Sequence, residues 1–157
     1  MKKFRLRSAA VLAVVALASA LHGFPAVAEP AEQDAVRVIR HYYSAIDHKN
    51  YKAAFNDWWG ASTGVLPTGQ TYAAFRKGFK QTATVAVNVG TPGEVEGAMG
   101  SSYIEIPVAI EALTVSGKHQ LFVGKYTLRK SNLTAADGVP PEEMTWHLYA
   151  ASLAAVK

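Results

Sequence analysis

Thr82-Ala83-Thr84-Val85-Ala86-Val87-Asn88-Val89 is where the chain changes period. Ala83, Val85, Val87 and Val89 alternate with Thr82, Thr84 and Asn88, the two-residue repeat of a half-buried strand. Gly90-Thr91-Pro92-Gly93 turns that strand, Glu94 to Ala98 makes a short second one, and Gly100 breaks it. Ser102 to Val115 reads as a long third strand in which Ile104, Ile106, Val108, Ile110 and Ala112 share a face. Pro107 within it carries no N–H, which places it at an edge or a bulge. Ser116-Gly117-Lys118 forms a hairpin into His119 to Lys130, Ser131 to Met144 is a polar loop, and Thr145 to Val156 is the last strand.

Before Gln81 the apolar repeat is three to four residues. Ala35, Val38, Ile39, Tyr42, Ala45 and Ile46 mark a first helix between Glu29 and Asn50, with Glu29, Glu32 and Asp34 at its dipole-positive start. Asn50 caps a second helix whose Tyr51, Ala54, Phe55, Trp58 and Trp59 share one face before Gly60 stops it. After a Gly/Ser/Thr/Pro-rich stretch, Thr71 opens a third helix with Tyr72, Phe75 and Phe79 on one side and Arg76, Lys77 and Lys80 on a solvated side. Three helices followed by an antiparallel meander is an α+β fold.

The wording Tyr42-Tyr43-x-Ala45-Ile46, Tyr51-x-x-Ala54-Phe55 and Trp58 ahead of such a sheet resembles the nuclear transport factor 2-like superfamily, with its ketosteroid isomerase-like and polyketide cyclase-like branches. Phe75-x-x-Gly78-Phe79-x-x-Thr82, Ile106-Pro107-Val108, Tyr126-Thr127-Leu128-Arg129 and Trp146-His147 are similar to exported bacterial proteins of that type. The resemblance spans residues 31 to 156. It implies a cone of three helices packed on one face of a curved antiparallel sheet, often a pocket between them, and often a homodimer through the outer face of the sheet. Isomerases, dehydratases, cyclases and binders share this fold, so the fold alone does not choose an activity.

The chain of 157 residues has 16 Lys and Arg against 12 Asp and Glu, and a pI near 9.3. Four of the basic residues, Lys2, Lys3, Arg5 and Arg7, lie in the first 28, which hold no acid, so the remainder is balanced. Lys2 to Arg7, the apolar run Ser8 to Leu21 and the small-x-small Ala26-Val27-Ala28 read as a signal peptide over residues 1–28, cleaved after Ala28. The apolar run is shorter than the ~20 residues that span a bilayer, which argues against an uncleaved anchor and against stable membrane insertion after cleavage. The expected location is therefore periplasmic or secreted. The domain covers residues 29–157, and its balanced charge argues against nucleic acid as a partner. The chain has no cysteine, so neither a disulfide nor thiol chemistry is available.

Isomerase chemistry next to a carbonyl needs a pocket base and an oxyanion donor. Tyr42 or Tyr43 could supply the helix-one hydroxyl, and Asp57 beside Trp58, with Asp47 at the end of the first helix, are the acids that remain, because Thr82 to Val89 holds none and Glu105 and Glu111 oppose the aliphatic face of their strand; Asp57 with Tyr43 is the candidate pair. His41, His48, His119 and His147 lack the spacing of metal ligands, and no motif calls for a cofactor. The strongest remaining signal is aromatic. Tyr43, Trp58, Trp59, Phe122, Tyr126 and Trp146 are all expected to face the interior, where they would line a half-open pocket for a small apolar or ring-bearing molecule. The sequence thus favours a non-enzymatic binding domain. Its rivals are an isomerase- or dehydratase-like enzyme and an assembly module acting through the outer sheet face, where Tyr103, Glu105, Lys125, Arg129, His147 and Tyr149 mix charge with aromatic surface.

Overall fold

The computed structural model describes residues 30–157, so the expected leader lies outside the described residues. Helix α1 (Pro30–Asp47) is followed by α2 (Tyr51–Asn56) and α3 (Tyr72–Gly78), then by β1 (Thr82–Val89), β2 (Glu96–Ala98), β3 (Ser101–Thr114), β4 (His119–Ser131) and β5 (His147–Ala155). The five strands form one antiparallel sheet in the order β1-β3-β4-β5, with β2 paired to the start of β3. The helices pack on one face of this curved sheet, giving the expected α+β cone. Among the described residues, no helix is long and apolar enough to cross a membrane.

The caps follow from local chemistry. The Asn50 side chain accepts from the Ala53 N–H and Thr71 from the Ala74 N–H, each at 3.3 Å, so two short helices begin where the polar residues stand. Ile39, Ile46, Phe55, Ile104, Ile106, Leu128 and Leu148 are the largest fully buried side chains and form the centre of the core between α1, α2 and the sheet. Pro107 lies on β3 where β1 has ended at Val89 and β2 has not begun. Only the turn passes there, the Pro107 carbonyl accepting from Gly90 N–H at 2.8 Å, so the missing N–H has no ladder to interrupt.

Helix α2 is shorter than its apolar spacing predicts. It ends at Asn56; Asp57 keeps helical dihedrals as the cap, and Trp58 then makes a one-residue parallel bridge to β5, with Leu148 N–H donating to the Asp57 carbonyl and Trp59 N–H to the Leu148 carbonyl, both at 2.8 Å. Asn56 and Asp57 are weak helix formers, and the β5 edge offers their neighbours better-placed partners. The bridge at Trp58, set between turn residues, breaks the helical phase, so Trp58 and Trp59 no longer share a face. Trp58 therefore points into the cone and is buried, whereas Trp59 lies outside, only half-buried. This corrects the expectation that both tryptophans share the interior face.

Candidate functional site

An open cavity of about 460 Å³ lies between α1, the α3–β1 turn and the inner face of the sheet. Tyr43 and Tyr126 form its floor, Val85, Ile110 and Phe122 its sheet wall, and Phe79 and Leu153 stand at its sides. Helix α1 supplies Tyr43 from the stripe that also buries Ile39 and Ile46, and β4 supplies Phe122 and Tyr126 from its inward-facing positions. Gln81, Thr82, Thr114 and Gln120 add neutral polar groups, and among the described residues no charged side chain lines the cavity.

The Tyr43 and Tyr126 hydroxyls are hydrogen-bonded at 2.7 Å. Burial is the main cause that pushes both phenols, and Tyr42 beside them, well above their ordinary range, so all three hydroxyls stay protonated. The rings interlock edge to face: Tyr42 to Tyr43 at 4.9 Å, Tyr43 to Tyr126 at 6.2 Å, and Trp58 to Tyr126 at 6.1 Å between centroids. Trp58 lies close enough to Tyr42 to act on its hydroxyl, yet its buried indole N–H meets no acceptor with hydrogen-bond geometry.

Of the six aromatic residues singled out by sequence, Tyr43, Phe122 and Tyr126 reach this cavity. Trp58 packs behind its floor. Trp146 borders a separate recess of about 390 Å³, with Lys130 Nζ 5.0 Å from its ring centroid. Trp59 lies on the outer face against Arg129, whose guanidinium carbon is 4.1 Å from the indole centroid and 5.8 and 5.6 Å from those of Tyr103 and Tyr149. Sequence reasoning passed over Phe79, Gln81 and Thr82, which the α3–β1 turn carries to the rim. It also passed over Val85, Gln120 and Leu153, although Gln120 shares its strand parity with Phe122.

The expected pairing of Asp57 with Tyr43 is not formed. Asp57 borders the recess that holds Trp146, and its two carboxylate oxygens lie 3.0 and 2.8 Å from His41 Nδ1. Tyr43 is instead engaged by Tyr126, so the base and the oxyanion donor of an isomerase do not meet. Desolvation raises the Asp57 carboxyl above its ordinary 3.8, and His41 only partly offsets this. An acid whose folded pKa is raised costs stability once it ionises, so its contribution falls as pH rises from 3.8 through the raised value. Asp57→Asn, which cannot ionise, is expected to gain in thermal stability relative to the wild type as pH rises from below 3.8 to neutrality. Melting curves across that range that stay parallel would exclude this assignment. Among the described residues, no group of three or more His, Asp or Glu is arranged to hold a metal ion.

No protein-family profile matches the chain, and no curated protein sequence matches it. Solved structures do. A nuclear transport factor 2-like superfamily protein from Salmonella enterica serovar Typhimurium aligns with TM-score 0.54 at 13% identity, covering 79% of this chain and 89% of its own. A conserved protein from Planctomyces limnophilus aligns with TM-score 0.56 at 14% identity over 80% of this chain and 98% of its own. A proposed scytalone dehydratase from Novosphingobium aromaticivorans gives 0.54 at 11% identity over 80% and 85%. The fold is thus the nuclear transport factor 2-like fold, and at these identities the likeness extends to the fold alone.

Proposed function

We propose that this chain is an exported, non-enzymatic domain that binds a small, neutral, largely apolar ring compound in the cavity above Tyr43 and Tyr126. The observation that carries this reading is a cavity of about 460 Å³ with an uncharged, largely apolar lining and a pair of hydroxyls on its floor. That volume falls in the range of small-molecule pockets, roughly 300–1,000 Å³. The Tyr42, Tyr43 and Tyr126 hydroxyls form a cluster, and a ligand oxygen accepts from the one that does not donate to another. A ring bearing a hydroxyl or carbonyl oxygen satisfies that donor. A carboxylate would lose its hydration without meeting a cation, which favours neutral ligands. Absence of an acid or imidazole from the lining supports binding over proton abstraction. Export rests on the charge and small-x-small pattern of residues 1–28, and recovery of the protein from the cytoplasm with Met1 intact would remove that part of the proposal.

Tryptophan fluorescence titrated with 2-naphthol is expected to give saturable binding, and 2-naphthoate, its anionic counterpart, is expected to bind far more weakly. Tyr126→Phe removes one hydroxyl of the pair and should weaken 2-naphthol binding about fivefold, the worth of ~1 kcal/mol for one hydrogen bond. Equal affinity for the neutral and charged compounds, or no saturable binding of either, would overturn the proposal.

A further inference from the structure

The two edges of the sheet are treated differently. On β1, the Val85 N–H donates to Asp47 Oδ1 at 2.9 Å, and Lys49 Nζ donates to the Thr82 and Ala83 carbonyls at 3.0 and 2.7 Å, so the end of α1 occupies that edge. On β5, only Leu148 is covered among the described residues, by Asp57 and Trp59. The remainder, Ala150-Ala151-Ser152-Leu153-Ala154-Ala155-Val156, is exposed along its whole length. Six of these seven residues are apolar, and none is charged or proline, the usual devices that keep an edge unpaired. Alanine is moreover a poor strand former, so the segment gains little from its own propensity.

The ladder also fixes which backbone groups of the segment are free among the described residues. Val156 N–H donates to the Leu121 carbonyl of β4 at 2.8 Å. Antiparallel alternation then turns Ala150, Ser152 and Ala154 toward β4 and Ala151, Leu153 and Ala155 toward the open edge. Leu148 also faces the open edge because the ladder shifts phase between Thr127 and Leu128, where β5 carries an extra residue.

We propose that this edge is an interface with a second copy of the chain, the two β5 strands pairing antiparallel about a two-fold axis at Leu153. That register matches Leu153 with the partner's Leu153 and Ala151 with the partner's Ala155 as hydrogen-bonded pairs, using every free backbone group of the segment. Ser152 then meets the partner's Ala154, and Ala150 the partner's Val156, so small or apolar side chains face each other and like charges do not. The axis perpendicular to the sheet keeps each face on its own side, as the two-residue period requires. Leu153 also lines the cavity, so the partner's strand continues the cavity wall beyond the edge where each copy alone leaves it open. A contact of one strand is small, below the ~1,200 Å² of standard interfaces, and the pair is therefore reversible.

Three variants test this. The chain has no cysteine, so Leu153→Cys introduces a single thiol at the axis, and mild oxidation is expected to yield a covalent dimer, since paired strands hold opposed Cα atoms within disulfide reach. Val123→Cys, on the outer face of the sheet, is expected to stay monomeric. Ala155→Pro deletes an N–H that no described residue of its own chain uses. It should leave the melting temperature within a few degrees while abolishing the concentration-dependent dimer seen by sedimentation velocity. A wild-type protein that stays monomeric across the concentration series, crosslinking at Val123→Cys in preference to Leu153→Cys, or a dimer that survives Ala155→Pro would each overturn the proposal.

Discussion

Trp58→Ala is expected to unfold the domain far below the wild-type melting temperature, while Trp59→Ala, one residue along, costs much less. Trp58 is 7% exposed and packs edge to face on both Tyr42 and Tyr126 at 6.1 Å, so its removal leaves a void at the centre of the aromatic cluster. Loss of a buried indole costs about 3–5 kcal/mol, or roughly 10–20 °C for a domain near this size. Trp59 loses its stacking on Arg129 and partial burial, about 1–2 kcal/mol and roughly 5 °C. Arg129 stays tethered by its Nε bond to Ser101 Oγ at 3.1 Å, which limits the damage on the outer face. Thermal unfolding of the two variants measures the contrast directly. A loss for Trp59 as large as that for Trp58 would show that the helical phase, with both tryptophans inside, is the right one.

That contrast also marks where the sequence stops being readable. Helix α1 and β1 announce themselves because one side of each packs against the core, so the apolar period survives intact from Ala35 to Ile46 and from Val85 to Val89. Asn50 and Thr71 are legible as caps because capping is local, acting within three residues. Trp58 and Trp59 fit a helical spacing, but their conformation is set by a backbone partner at Leu148, some ninety positions away and silent in local periodicity. The same holds for His41 and Asp57, sixteen residues apart and joined only once α1 crosses the start of the β5 edge. Tyr43, Phe122 and Tyr126 were visible as an aromatic pattern. The rim of the cavity was not, because Phe79, Gln81 and Thr82 gather there through the α3–β1 turn and carry no periodic mark.

Gly124→Ala is the second change expected to have a large effect, and it adds only one carbon. Gly124 sits in the middle of β4, opposite Val108 on one side and Leu153 on the other. In the folded chain the reason for glycine is a close approach: a Cβ there would run into the Ser152 carbonyl, which is backbone and has no rotamer to give. The clash must be relieved by moving β5 away from β4, which breaks ladder bonds over Ala150 to Ala155 and removes Leu153 from the cavity wall. Overpacking against backbone with loss of pairing is expected to cost about 3 kcal/mol or more. The damage should be local in its first effect. Hydrogen exchange is expected to show lost protection along β5 beyond Leu148, while β1 and α1, tied together by Asp47 and Lys49, keep theirs. Binding of 2-naphthol should weaken in parallel because the cavity loses a side. If Gly124→Ala leaves both β5 protection and melting temperature unchanged, then β4 and β5 do not approach as closely as the sheet geometry requires, and the register that aligns Leu153 with the open edge would have to be redrawn.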